Sequence, residues 1–493
     1  MILTNPDELR TVAMQNLPFE PTEKQSALVD SLSRFIVLHS DTDVYIVNGY
    51  AGSGKTSIIG ALIKGMKQLK MNCVMLAPTG RAAKVAGKFA GITASTIHKR
   101  IYRATSADPA QRRFVLAHNG ERDTIFFVDE ASMITHRGEK GHSLLEDLVE
   151  YVYSGDNCAL VLTGDTAQLP PPGESTSPAM SPAVLRCLGL NPFGVTLHTT
   201  MRQQENSGIL YNATLVRTEM TRVATLIGNA VKAGTNPTDA LKPEDMKLKL
   251  HFGNFDDFRN IQMIDFADEL SSSWANVGKE ETLIITRSNR RANMCNRDVR
   301  NRVLYADEAL LRGEMLVISK NDYYWGKVNK SRNFIANGET AIVEWIGSVE
   351  TKYGHSFADA ELRFPADNTT IGCKILLDSL ESEGPAMSRS DMLTLYEKVL
   401  ADYQEGELST RMRKAAENPY FNAMQVKYAY CVTCHKSQGG QWTDVYIDMS
   451  GIAVSPESYI EFLRWLYTAI TRATRRVFLL ASPLPSDLPS EDW

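Results

Sequence analysis

Gly49, four intervening residues and then Gly54-Lys55-Thr56 form a spacing that can close a backbone around phosphate. Glycines at 49, 52 and 54 let N–H groups converge, and Ser53 sits among them. Lys55 neutralises the outer phosphates, and Thr56 offers a hydroxyl to Mg²⁺. A second candidate group is Asp129-Glu130. Asp129 is suited to holding Mg²⁺ through water, and Glu130 to taking the proton of an attacking water. Gln168 can orient that water and report loss of the γ-phosphate, and Arg202 can stabilise charge in the transition state. Gln25 can donate to and accept from an adenine edge at once, although Thr22 and Gln25 also read as a helix capping box.

The elements around these residues are those that would position them. Residues 44–47 (VYIV) have the composition of a buried parallel strand. Ile58, Ile59, Leu62, Ile63, Met66 and Leu69 then recur at helical spacing. Strand, glycine turn and helix are therefore consecutive. Further apolar runs at 73–77, 124–128, 158–163 and 195–198 predict strands. The acid pair follows one of them, Gln168 follows another, and Thr79, Arg81 and His98 follow strand ends where phosphate-backbone contacts are made.

At 493 residues the chain exceeds what one core supports, so about two to four domains are expected. There is no apolar run of membrane-spanning length and no basic-then-apolar leader, and the seven scattered cysteines suit a reducing compartment. A cytoplasmic protein without a membrane partner is the expectation. The net charge of −5 hides an asymmetry: residues 44–107 contain no Asp or Glu but ten Lys and Arg. Such a stretch predicts a polyanion nearby, beyond the nucleotide.

Residues 99–123 break the α/β pattern and predict a small inserted hairpin turning at Asn119-Gly120. Residues 203–280 read as helical and polar. Arg287, Arg290, Arg291, Arg297, Arg300 and Arg302 form a second basic cluster after a strand at 282–286. From 307 to 423 short β-rich segments and a charged helical stretch predict an inserted barrel with a helical appendage. The α/β pattern returns at 428. Cys431 and Cys434 lack a second ligand pair, so packing rather than zinc is expected.

The motifs APTGRAA, STIH, DEAS, GDTAQLPP, TMR, TCHKSQGG and YTAITRA follow the phosphate loop in this order. Taken together the chain resembles the superfamily 1B helicases, the RecD-like 5′-to-3′ branch, and within it the Dda-like helicases of phage and bacteria. The resemblance implies an α/β fold with two RecA-like parallel-sheet motor domains, an inserted β-hairpin pin and an inserted SH3-like small β-barrel. The expected boundaries are 1–98 with 124–200 for the first motor, 99–123 for the pin, 201–306 with 424–493 for the second motor, and 307–423 for the barrel. It implies ATP between the motors and Arg202 and Arg472 as arginine fingers. It places single-stranded DNA on Thr79, Arg81, His98, Thr433, His435 and Lys436, with Phe114 as the wedge of a short pin. A monomer acting on single strands and forked duplex, in replication or repair, is implied; phosphate contacts leave RNA open. Two other readings stay open: a translocase that displaces proteins without strong unwinding, and an NTP-dependent nucleic-acid binding switch.

Overall fold

Strand residues alternate between two cores on opposite faces of the first sheet. Tyr45, Val47, Ile125, Phe127 and Val161 pack to one side, and Val44, Ile46, Phe126, Val128, Leu160 and Leu162 to the other. A sheet covered on both faces needs apolar residues at every position, which is why these runs read as continuously hydrophobic. The computed structural model describes residues 5–104, 114–137, 143–197, 207–253, 255–330, 332, 335–365, 367–384 and 386–481.

Among these residues the first sheet has the order Ala94–Thr96, Asn72–Ala77, Thr124–Val128, Ala159–Gly164, Asp43–Gly49, Asn191–Leu197, all parallel. A second parallel sheet runs Cys431–Thr433, Thr282–Thr286, Trp442–Asp448, Ala473–Leu480, Phe258–Ile261. It alternates likewise: Leu283, Ile285, Val445 and Ile447 face one core, and Ile284, Tyr446 and Phe478 the other. The strand Phe258–Ile261 lies in the stretch read as helical and polar. It is four residues long and carries Arg259 and Asn260, too short and polar to register as a strand. The helix Gly208–Lys232 packs on the helix Tyr459–Ile470 of this second lobe.

The third sheet is a closed barrel. Its order is Thr340–Ile346, Met315–Ile318, Met424–Tyr428, Thr369–Leu376, His355–Phe364, Glu350–Lys352, and Thr340–Ile346 also pairs with His355–Phe364 to shut it. The strand Met424–Tyr428, read from the sequence as the return to the second motor, pairs here instead, and Met424, Val426 and Tyr428 fill the barrel core. That core is continuous with one face of the second sheet. The helices Arg389–Ala401 and Leu408–Ala416 close a satellite core on Phe357 and Leu376.

In the hairpin segment Tyr102–Ala104 pairs with Phe114–Leu116. The Asn119-Gly120 turn is not its tip. Asn119 is buried and donates to the carbonyls of Tyr151 and Val152 at the end of the helix Leu144–Tyr153, so it anchors the segment to the first lobe. Residues 105–113, the Phe114 side chain and Arg202 lie outside the described residues. No helix among the described residues is long and apolar enough to cross a membrane.

Candidate nucleotide cleft and nucleic-acid interface

The strand Asp43–Gly49 delivers the glycine turn, and the helix Lys55–Gln68 starts directly after it. Gly52 and Gly54 have φ of 73° and 85°, which a side chain would strain. A Cβ on Gly49 would meet Ser53 Oγ at 2.7 Å, so the loop closes only around glycine. Lys55 Nζ donates to the carbonyls of Gly49 and Tyr50, folded over its own loop. Thr56 opens the helix beside it. Gln25 completes the capping box expected from the sequence and also ties the helix to the phosphate loop. Its Oε1 accepts from Thr22 N at 2.9 Å in the capping box, and its Nε2 donates to Ser53 O at 3.0 Å in the loop.

Asp129 and Glu130 leave the end of Thr124–Val128. Asp129 Oδ1 accepts from Thr163 Oγ1 at 2.7 Å and from Glu130 N at 3.0 Å. Glu130 sits at φ 53°, a backbone setting that costs on the order of 1 kcal/mol and is kept where surroundings impose it. Desolvation pushes the Glu130 carboxyl up. Arg472 and Lys55 pull it down, while Asp129 and Asp165 raise it further. The lysine of the first lobe and the arginine of the second thus act on one carboxylate. Gln168 is buried, and its Oε1 has no hydrogen-bond partner among the described residues; Ser53 Oγ is orphaned in the same way. Such atoms fit a phosphate and its attacking water.

Arg472 follows the helix Tyr459–Ile470 and is 4% exposed. Its guanidinium donates to Thr468 O, Gly440 O and Thr471 Oγ1 at 3.0–3.2 Å, all neutral oxygens. No described carboxylate forms an ion pair with it. A buried cation held by neutral groups is costly until an anion arrives. Tyr467, which the sequence reading passed over, spans the cleft from the same helix. Its hydroxyl accepts from Ala51 N at 3.0 Å and donates to Asp165 Oδ2 at 2.8 Å. Arg217 from the helix Gly208–Lys232 stacks on the Tyr50 ring at 4.0 Å. Only the aromatic inside YTAITRA could have flagged Tyr467. No local signal marks Arg217.

Where the two lobes and the barrel meet lies a cavity of about 1260 Å³. Lys84, Lys88, Lys99 and Lys436 line it, as do Glu280 and Glu281. Thr79 caps the helix Gly80–Ala90 through Ala82 N. His98, His435 and Lys436 are exposed, and Thr433 opens the short helix Cys434–Ser437. Arg81 lines this cavity as well. It stacks on Trp442 of the second lobe at 3.8 Å, donates to Gln441 O, and burial brings its pKa down to about 10. Within the second basic cluster Arg300 is buried against Glu314, Arg291 is half-buried on Asp448, and Arg297, paired with Glu381, is exposed together with Arg287, Arg290 and Arg302. Cys431 and Cys434 are buried, and burial pushes the Cys434 thiol up to about 12, a packing role.

The fold and cleft define a two-lobed phosphate-loop protein with a shared site. Residues 22–230 match the family model described as an AAA domain, and residues 428–480 the UvrD-like helicase C-terminal domain. A Deinococcus radiodurans protein, the ATP-dependent RecD2 DNA helicase, is 30% identical over 158 residues, 30% of this chain and 18% of that protein. The chain therefore spans about a fifth of that relative's length. Solved structures of similar shape include the Bacteroides Pif1 helicase in complex with ADP-AlF3 and ssDNA (TM-score 0.47, 15% identity, 95% of this chain and 94% of that one). The Candida albicans Pif1 helicase is another (TM-score 0.42, 15% identity, 94% and 95%). The phosphate-loop half of the chain thus matches an AAA-domain family and the C-terminal strands a UvrD-like helicase C-terminal family, in that order along the sequence.

Proposed function

We propose that this chain is an ATP-driven DNA helicase that moves 5′ to 3′ on a single strand and separates the duplex ahead of it. One observation carries the reading: Tyr467, on the helix that leads to Arg472, bonds across the cleft to the Ala51 amide of the Lys55 loop at 3.0 Å and to Asp165 at 2.8 Å. Nucleotide at the Lys55 loop supplies the anion that the buried Arg472 guanidinium lacks, so binding draws the lobes together and hydrolysis releases them. Glu130 takes the proton of the attacking water, Gln168 orients that water, and Arg472, with Arg202 as its expected counterpart, meets the charge that develops. Thr56 would offer its hydroxyl to Mg²⁺ and Asp129 would hold it through water, and the ion would neutralise phosphate charge. The three-domain cavity, lined by Arg81 and Lys436, is part of the proposed strand path, which continues beyond it over Thr79, His98, Thr433 and His435.

The inserted segment 99–123 is short in the sequence, which favours a second reading, a translocase that clears bound proteins without strong unwinding. Single-turnover strand displacement on forks with a 5′ or a 3′ tail, in DNA and in RNA, separates these. Opening of the 5′-tailed DNA fork alone is the expected result. Directional movement on single strands with every fork intact selects the translocase, and a 3′ preference overturns the proposed polarity.

A further inference from the structure

Leu169 belongs by sequence to the first lobe, one residue past Gln168, yet its side chain is buried in the core of the second lobe. Both of its backbone polar groups are held there as well. Its N–H donates to Thr468 Oγ1 at 2.8 Å, and its carbonyl accepts from Gln438 Nε2 at 2.8 Å. At the other end of the segment Asp165 is tied to Tyr467, and Asp165 O accepts from Gln168 N at 3.2 Å. Gln168 is thus suspended between two anchors of the second lobe.

Gln438 is the residue directly after the short helix that carries His435 and Lys436, and its own N–H donates to His435 O. Its amide is 5% exposed, so an unmade hydrogen bond there is costly and the amide and the Leu169 carbonyl move together. Gly439, at φ 72°, presses the same turn against the first lobe: a Cβ there would meet Ala82 Cβ at 2.7 Å and Thr79 Oγ1 at 3.3 Å. A strand lying between Thr79 and Lys436 would touch both sides of this turn.

We propose that Gln438 is a positioning residue that transmits nucleic-acid occupancy of the Cys434–Ser437 helix to Gln168 through the Leu169 carbonyl. The proposal rests on the ATP-hydrolysing reading above. Gln438 touches neither nucleotide nor strand; it sets where Gln168 stands when the strand is bound.

The test compares wild type with Gln438→Met, which keeps length and volume but loses the donor, using ATP turnover with and without a saturating oligo-dT. Expected are kcat and KM within about twofold of wild type without DNA, an unchanged oligo-dT Kd by anisotropy, and a DNA-stimulated kcat lower by about tenfold, the scale of one neutral hydrogen bond. Full stimulation in the variant overturns the relay, and so does an equal loss with and without DNA, which marks a structural role. If Gln438→Met does not fold, Thr468→Val, which removes the other anchor of Leu169, must show the same split. A wild-type chain that hydrolyses ATP without responding to oligo-dT overturns the relay alone. One that does not hydrolyse ATP overturns the proposed function first and the relay with it.

Discussion

The Tyr467 hydroxyl donates to Asp165 Oδ2 across the cleft at 2.8 Å, and in the same position it accepts from the Ala51 amide of the phosphate loop. Burial beside Asp165 pushes the phenol well above its ordinary range, so it stays protonated and able to donate at every working pH. One neutral atom joins the loop, the Gln168 segment and the helix that leads to Arg472.

Tyr467→Phe keeps the ring in the core and removes only these bonds. We expect kcat for ATP to fall about tenfold with KM changed much less, because the lost contacts align groups rather than bind substrate. Steady-state kinetics decide it, and a kcat within twofold of wild type would remove Tyr467 from the coupling.

Lys55→Ala should abolish turnover and unwinding together. Arg472→Ala should retain nucleotide binding but lose about 10³-fold or more in DNA-stimulated turnover. Arg472→Lys should not rescue it, since three neutral oxygens hold a planar fork rather than a point charge. Fluorescent-nucleotide titration beside turnover assays separates the two variants. Near-normal stimulated rates in Arg472→Ala would sink the finger assignment.

Glu130 gives a prediction in pH. Its folded carboxyl titrates above an ordinary glutamate, so folding favours the protonated form. That contribution is present below the usual glutamate range and is lost as pH rises through the raised value. Glu130→Gln cannot ionise, so its melting temperature should match wild type near pH 4 and exceed it increasingly toward pH 8, while hydrolysis is abolished. Thermal melts of the nucleotide-free proteins read this directly; a gap that shrinks with rising pH would falsify it.

Lys436 lines the cavity and is exposed, whereas Arg300 is internal. Lys436→Ala should weaken single-strand binding and reduce the slope of log K against log salt by about 0.7, the release expected for one phosphate contact. Anisotropy across a salt series measures it, and an unchanged slope removes Lys436 from the strand path.

Arg300 and Glu314 are paired at 2.7 Å with side chains 8% and 3% exposed, and Arg300 also lies over Tyr428. Glu314→Ala leaves the guanidinium buried without its partner and should cost about 3–5 kcal/mol of stability. Urea unfolding measures this, and a loss under 1 kcal/mol would mean that the pair is solvated in the native protein.

Much of this was readable along the chain because the signals are local. The runs at 44–47, 124–128 and 282–286 form the expected strands, since burial on both faces demands unbroken apolar sequence. Gly52, Gly54 and Lys55 are confined to one turn, so their spacing alone states the geometry. Asn119-Gly120 shows where local reading fails: the same residue types make a hairpin tip or a helix anchor according to what lies against them.

Sequence alone therefore determined the phosphate loop, the acid pair and the parallel-sheet architecture, because each depends on residues within a few positions of one another. The pairing of Tyr467 with Asp165, of Gln438 with Leu169 and of Arg81 with Trp442 was decided by tertiary structure, because those contacts exist only once two independently patterned lobes are packed face to face.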